Sequence, residues 1–225
     1  MMRRIAAVLF FLFAFTASNA IHAQRSKKVF LNQDNEVILR GKYKKLLVKA
    51  NGKLLDICIT DTDTLKVRKL FWREHQGKLH TIALSQLKEY LMETSGKNIP
   101  DADYIVVNYY PGKDSCNAPF FEKTELKSYL SSLQAYEEAI LSLKNVSRFY
   151  FTNRQKPNPF EKTEITVYPD GSNIFKNMFF PYAFPCGSFV VIHPDGRYIK
   201  YYGEYHNQII LDILQADWEL DFFWD

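Results

Sequence analysis

The chain has 225 residues, 24% of them charged, with 29 Lys and Arg against 25 Asp and Glu, a net charge of +4. That near balance gives no case for a nucleic-acid partner, because a nucleic-acid-binding protein needs a strongly basic face. Three cysteines are too few for a disulfide-rich scaffold, and an odd number leaves at least one thiol free or paired with another molecule. The length suits one domain with an extension.

The N-terminus has the three parts of a secretory signal peptide. Two arginines precede an apolar run over residues 5–17, and two small-residue cleavage sites follow, after Ala20 and after Ala23. The run is shorter than the roughly twenty residues that a spanning helix needs. We therefore predict export with removal of residues 1–23, and no membrane span in the mature chain. An uncleaved N-terminal anchor is the alternative.

Residues 24–100 are predicted to form a β-rich extension with one helix. Short apolar runs separated by turn-forming residues are typical of strands and hairpins. Three such runs are present, over 29–31, 46–48 and 57–59. A helix is predicted over 85–93, where leucines recur on one face, and Gly96 is expected to end it. Cys58 is expected to be a small core residue.

Residues 101–225 follow the order strand, helix, strand, connector, hairpin, helix, which predicts an α/β fold. The first strand, Tyr104–Tyr110, is β-branched and aromatic almost throughout, as in a strand buried on both faces. Later, two apolar runs flank Asp195 and Gly196, which are typical residues of a hairpin turn. The remaining predicted elements are a helix over 126–143, a strand over 147–151, hairpin strands over 188–193 and 198–202, and a helix over 209–214.

This order resembles the thioredoxin fold, in which a mixed central sheet is flanked by helices. Two segments carry a resemblance to the periplasmic thiol-disulfide oxidoreductase and peroxiredoxin-like branch of the thioredoxin-like superfamily. Residues 106–110 are similar to the strand that leads into that branch's active-site loop. Residues 184–197 are similar to its cis-proline loop, next strand and Asp-Gly hairpin. The resemblance implies a cis peptide bond before Pro185 and a place in the bacterial cell envelope, periplasmic or extracellular.

The dithiol motif of that family is degenerate in this chain. Where the family has Cys-x-x-Cys, residues 113–118 contain the single Cys116, so dithiol exchange within that loop is excluded if the segments correspond. In the family the cis-proline loop lies against the active-site loop. The resemblance therefore implies that Cys116 and Cys186 face each other, as a redox pair, as a structural disulfide, or as two unrelated buried thiols.

The leading hypothesis is an exported thioredoxin-fold protein that binds a protein or peptide at the cis-proline face, with Pro185 and Tyr110 as binding residues. Extended peptides suit such a face because exposed backbone can pair with them. The alternatives are a thiol-disulfide redox protein that uses Cys116 with Cys186 as catalytic residues, or Cys116 alone, and a purely structural or inhibitory module. No cofactor is expected, and no zinc or calcium spacing occurs. The aromatic, acidic segment 218–225 is expected to pack on the N-terminal strands.

Overall fold

The computed structural model describes residues 26–112, 114, 123–153 and 165–216, so the signal peptide, Cys116 and segment 218–225 lie outside the described residues. The strands are β1 (Lys27–Leu31), β2 (Leu54–Asp61), β3 (Leu65–Trp72), β4 (Glu74–Lys78), β5 (Tyr104–Tyr110), β6 (Val146–Thr152), β7 (Val167–Pro169), β8 (Ser188–Ile192) and β9 (Arg197–Tyr202). The helices are α1 (Arg40–Lys49), α2 (Thr81–Ser95), α3 (Lys123–Ser142), α4 (Ile174–Met178) and α5 (Asn207–Gln215). None of the helices in these ranges combines the length and apolarity needed to cross a membrane.

A six-stranded sheet with the order β4-β9-β8-β5-β6-β7 forms the centre of the molecule. β5 and β6 are parallel, with α3 between them in the chain, whereas β8 and β9 form an antiparallel hairpin that α5 follows. β8 also runs antiparallel to β5. The order β9-β8-β5-β6, built from a strand-helix-strand unit and a hairpin-helix unit, is that of the thioredoxin fold. The predicted fold class, α/β and thioredoxin-like, is therefore confirmed.

Both faces of the central sheet are covered. Along β5, Ile105 and Val107 belong to the core that α2 and α4 also line, whereas Val106 belongs to the core lined by α3 and α5. All five residues of β8 are buried. Because neither face of these strands meets solvent, their sequences are apolar runs instead of alternating patterns.

A second sheet, of three strands, has the order β1-β3-β2. One of its faces packs against α1 in a small core formed by Tyr43, Leu54 and Leu70. From the other face, Leu55 and Ile57 join the main core. The predicted β-rich N-terminal region is confirmed, and it rests directly on the central sheet's own core.

Two local predictions for this region are wrong. Residues 46–48 lie within α1, because Tyr43 and the two leucines after it recur at intervals of three and four and pack as one helical face. An apolar run of that length is too short to distinguish a helix from a strand. Cys58 is exposed, since alternation along β2 turns Ile57 toward the core and Cys58 away from it.

The central sheet takes strands from both sides of the predicted division at residue 100. β4 pairs antiparallel with β9, so that Glu74 lies opposite Tyr201. α2 packs three buried leucines into the core beside β5, and it ends as predicted at Gly96, which has a φ of 68°. The division into two domains stays a prediction, while the sheet itself spans it.

The predicted hairpin is present, and its turn requires a glycine. β8 and β9 pair Ile192 with Tyr198, and Gly196 in the turn has a φ of 90°. The carbonyl of Gly196 accepts a hydrogen bond of 2.9 Å from the backbone N–H of Leu79. A Cβ atom at Gly196 would lie 2.7 Å from the carbonyl oxygen of Leu79. The turn is therefore closed to a side chain both by its dihedral angle and by the neighbouring backbone.

We expect Gly196→Ala to lower the free energy of unfolding by about 3 kcal/mol, from about 1 kcal/mol of left-handed strain and a further steric cost. Gly52→Ala is the matched control, because Gly52 has a φ of 84° and no atom within 4 Å of an added Cβ. That control should cost only the strain of about 1 kcal/mol. Urea denaturation measures both, and equal losses would show that the contact with Leu79 is unimportant.

Candidate functional site

Two loops meet at the ends of two central strands of the six-stranded sheet. The first begins at Pro111, directly after β5, and includes Asp114, whereas the second covers residues 181–187, directly before β8. Since β5 and β8 are antiparallel neighbours, with Tyr109 opposite Ser188, the end of one strand lies beside the start of the other. The candidate site is the surface that these two loops form.

Cys186 connects the two loops. It is partly exposed, and its backbone N–H donates a hydrogen bond of 3.0 Å to Oδ2 of Asp114. Its sulfur is in a disulfide, whereas Cys58 has a free thiol. Because Cys116 lies outside the described residues, its place opposite Cys186 stays a prediction.

The prediction of a cis peptide bond before Pro185 is wrong. No cis bond occurs in the described residues, so the Phe184–Pro185 bond is trans. The loop has instead two consecutive residues with positive φ angles, 70° at Cys186 and 129° at Gly187. A left-handed residue is uncommon for a side chain larger than glycine, so the conformation of Cys186 is held by its surroundings.

Phe184 anchors the second loop. Its side chain is only 2% exposed and stacks on Tyr202, with ring centroids 4.0 Å apart and the planes 6° from parallel. It also meets Phe71 of β3 edge-on at 5.4 Å. Stacked and edge-on contacts between aromatic rings add stability beyond that of buried area alone. The loop is thus attached both to the central sheet and to the second sheet.

Gly187 fixes the loop at a second point. A Cβ atom at this position would lie 3.0 Å from two carbon atoms of the Tyr110 ring. The backbone of Gly187 therefore rests on Tyr110, which is itself only 7% exposed. Of the two predicted binding residues, Pro185 is exposed, and Tyr110 supports the loop from below.

The exposed side of the second loop is apolar. Pro181, Tyr182, Ala183 and Pro185 are all exposed, with Tyr182 at 37%. We call these four residues the apolar loop. Its inner residue is the buried Phe184, so the exposed side chains are presented by a backbone that the core holds in place.

Tyrosine hydroxyls beside the loop are not ionised at neutral pH. Burial raises the pKa of Tyr202, with a smaller contribution from Tyr198. Burial also raises the pKa of Tyr109, with help from the negative charge of Asp170. Both hydroxyls therefore stay protonated, and the described residues of the two loops contain no free thiol. Within the described ranges, no group of three or more His, Cys, Asp or Glu could hold a metal ion.

A groove between the two sheets was not predicted from the sequence. It has a volume of about 920 Å³, and Trp72, Tyr201 and Tyr205 are among its lining residues. Arg73 forms part of its wall, and its guanidinium donates to the carbonyls of Gly52 at 2.8 Å and Glu204 at 3.1 Å. Arg73 therefore connects the second sheet to the segment after β9.

The sequence carried little signal for this groove. Its lining comes from the turn after α1, the end of β3, the end of β9 and the start of α5, and these elements span most of the chain. Burial raises the pKa of Glu74 in the groove, and the nearby Lys53 opposes that shift. Such a set of residues forms no motif, and only tertiary structure brings it together.

A mixed sheet in this order, with two loops that meet where β5 ends and β8 begins, defines a thioredoxin-fold protein. No protein-family model matches the sequence, and no curated protein sequence matches it. Among solved structures, the chain is similar to an exposed lipoprotein thioredoxin of Streptococcus pneumoniae, at 11% identity and a TM-score of 0.36, over 72% of this chain and 99% of that one.

Two further solved structures are similar at the same level. A secreted disulfide oxidoreductase of Mycobacterium tuberculosis matches at 14% identity and a TM-score of 0.35, over 51% of this chain and 82% of that one. A 2-Cys peroxiredoxin of Plasmodium vivax matches at 15% identity and a TM-score of 0.33, over 53% and 79%. At these scores the assignment of the fold depends on the strand order and strand directions of this chain.

Proposed function

We propose that the mature chain is an exported thioredoxin-fold binding protein that holds an extended segment of another polypeptide against the apolar loop. The observation that carries this proposal is the loop itself, with Tyr182 and Pro185 exposed above the buried Phe184. A surface held in its bound conformation loses little entropy when a partner binds. The proposed export rests on the signal-like N-terminus, and the partner would be met in the cell envelope.

The proposal extends to the cysteines. We propose that Cys116 is the disulfide partner of Cys186, because the third cysteine of the chain, Cys58, has a free thiol. This disulfide would tie the loop after β5 to the loop before β8, beside the hydrogen bond from Cys186 to Asp114. We propose a structural role for it, holding the two loops together, whereas in the redox alternative Cys186 would resolve a mixed disulfide formed at Cys116.

Binding can be tested with a labelled, reduced and carboxymethylated α-lactalbumin, which is unfolded and has no thiols. We expect fluorescence anisotropy to show binding by the wild-type chain. The double variant Tyr182→Ser with Pro185→Ser should have an affinity about tenfold lower, which is the usual loss when an aromatic contact is truncated. The control is Ile82→Ser with Leu141→Ser, two side chains each 74% exposed outside the two loops. No binding, or equal losses in both variants, would contradict the proposal.

The redox alternative needs a separate assay. Reduction of insulin disulfides by dithiothreitol should run at the same rate with the wild-type chain as with Cys186→Ser. A rate enhancement that Cys186→Ser abolishes, while the variant still binds carboxymethylated α-lactalbumin, would assign a thiol-disulfide function to Cys116 and Cys186. The two assays therefore separate binding from thiol exchange.

A further inference from the structure

A strongly basic segment includes α1, the helix that packs on the second sheet. Residues 37–55 contain six of the chain's 29 lysines and arginines and none of its 25 acidic residues. Every one of the six is exposed: Arg40, Lys42, Lys44, Lys45, Lys49 and Lys53. Outside this segment the chain is slightly acidic, so the positive charge is concentrated on one part of the surface.

None of these six side chains forms an ion pair among the described residues, although Lys53 lies near enough to Glu74 to oppose the rise in the pKa of that carboxyl. The nearest acidic residue on the strand that follows, Asp56, is already occupied. It pairs with Arg68 at 2.6 Å and accepts a hydrogen bond of 2.5 Å from the Tyr43 hydroxyl. Among the described residues, no acidic side chain therefore neutralises the positive charge of α1.

Large apolar side chains are exposed within the same segment. Val37, Leu39 and Val48 are 73%, 82% and 81% exposed, and they are three of the seven exposed large hydrophobic residues in the described ranges. Val48 lies five positions after the buried Tyr43, a rotation of about 140° around a helix of 3.6 residues per turn. It therefore points away from the protein, with Lys44, Lys45 and Lys49 around it.

We propose that α1 and the three residues before it, 37–39, form a docking surface for a bilayer of anionic phospholipid. Lysines around exposed aliphatic side chains match such a bilayer, because the cations meet the headgroup phosphates while the aliphatic groups enter the boundary with the acyl chains. A nucleic acid offers the phosphates without the apolar layer. The inner face of α1 stays packed on the second sheet, so the chain lies on the membrane as a folded unit and does not span it.

This surface is distinct from the apolar loop, and its test does not depend on the proposed peptide binding. The probe is phosphatidylcholine vesicles with and without phosphatidylglycerol, and the readout is co-sedimentation of the mature chain. We expect binding only when phosphatidylglycerol is present, and we expect it to weaken as salt rises, because salt screens charges at a surface. Equal binding to both vesicles, or none to either, would overturn the proposal.

Two sets of variants locate the surface. Reversing three lysines, Lys44→Glu with Lys45→Glu and Lys49→Glu, should weaken binding by at least about tenfold, since each lysine near an anionic surface contributes to attachment. The matched control reverses the same number of lysines, Lys78, Lys97 and Lys144, which are exposed outside the segment. It should retain binding within about threefold, the smaller loss expected from an unspecific change in net charge.

The contribution of the apolar side chains to binding distinguishes an anionic membrane from other polyanions such as DNA. Leu39→Ser with Val48→Ser leaves the charge unchanged and should weaken vesicle binding by about fivefold or more, because aliphatic burial is lost. A circular dichroism spectrum identical to the wild type's is required of each variant, and the exposed positions make that the expected result. Unchanged vesicle binding in this variant, or equally tight binding of a DNA duplex, would overturn the assignment to phospholipid.

Discussion

Replacing Phe184 with alanine is expected to lower the free energy of unfolding by about 3–5 kcal/mol, the usual cost of removing a buried aromatic ring. The ring is 2% exposed and lies between Tyr202 and Phe71. Its loss would leave a cavity where the central sheet and the second sheet meet. For a chain of this size the melting temperature should fall by about 10 °C, which calorimetry and urea denaturation can both measure.

The control is Tyr182→Ala in the same loop. Tyr182 is 37% exposed and contacts Phe71 at a centroid distance of 5.1 Å, so its removal should cost no more than about 1 kcal/mol. Phe184→Ala should also weaken binding to the unfolded probe, because the apolar loop loses its anchor. A small effect of Phe184→Ala on stability would mean that the loop is not held by the core.

Replacing Cys186 with serine is expected to cost about 4 kcal/mol, if its partner is Cys116 as proposed. A disulfide between these positions closes a loop of about 70 residues, and the chain-entropy account assigns that loop about 4 kcal/mol. The polar contact between the Cys186 backbone and Asp114 would remain, since serine keeps the N–H group. Urea denaturation of the oxidised wild type and of the variant measures the difference.

Cys58→Ser supplies the matched control for this experiment. Cys58 is exposed and free, so its replacement should change stability by no more than about 0.5 kcal/mol. Peptide mapping under non-reducing conditions should find Cys116 joined to Cys186. If Cys186→Ser is as stable as the wild type, or if mapping finds Cys116 alkylated, the structural role of the disulfide should be abandoned.

The strands and the hairpin could be predicted because their signals are local. β5 is an apolar run interrupted only by Asn108, and the turn at Asp195 and Gly196 has the residues that such a turn requires. The order of these elements was sufficient to identify the fold and the strand ends where the two loops meet. It also located Cys186 in one of those loops.

The errors arose where tertiary contacts decide the conformation. Cys186 has a φ of 70° although local propensity disfavours it, and nothing in the sequence distinguished that conformation from a cis bond before Pro185. The exposure of Cys58 depends on which face of β2 meets the main core, because Ile57 packs into that core and Cys58 lies on the opposite face of the strand. The groove depends on Arg73 reaching carbonyls at Gly52 and Glu204, far apart in the chain.

The pairing of β4 with β9 bears on how this chain resists aggregation. β9 would otherwise be the last strand on its side of the sheet, with unpaired N–H and C=O groups along one edge. An open edge of that kind is a template for strands of other molecules. β4 covers it with a short segment that ends in the charged Lys78 and carries Glu74 at its start. A fragment cut at residue 100 would lose that cover and should self-associate.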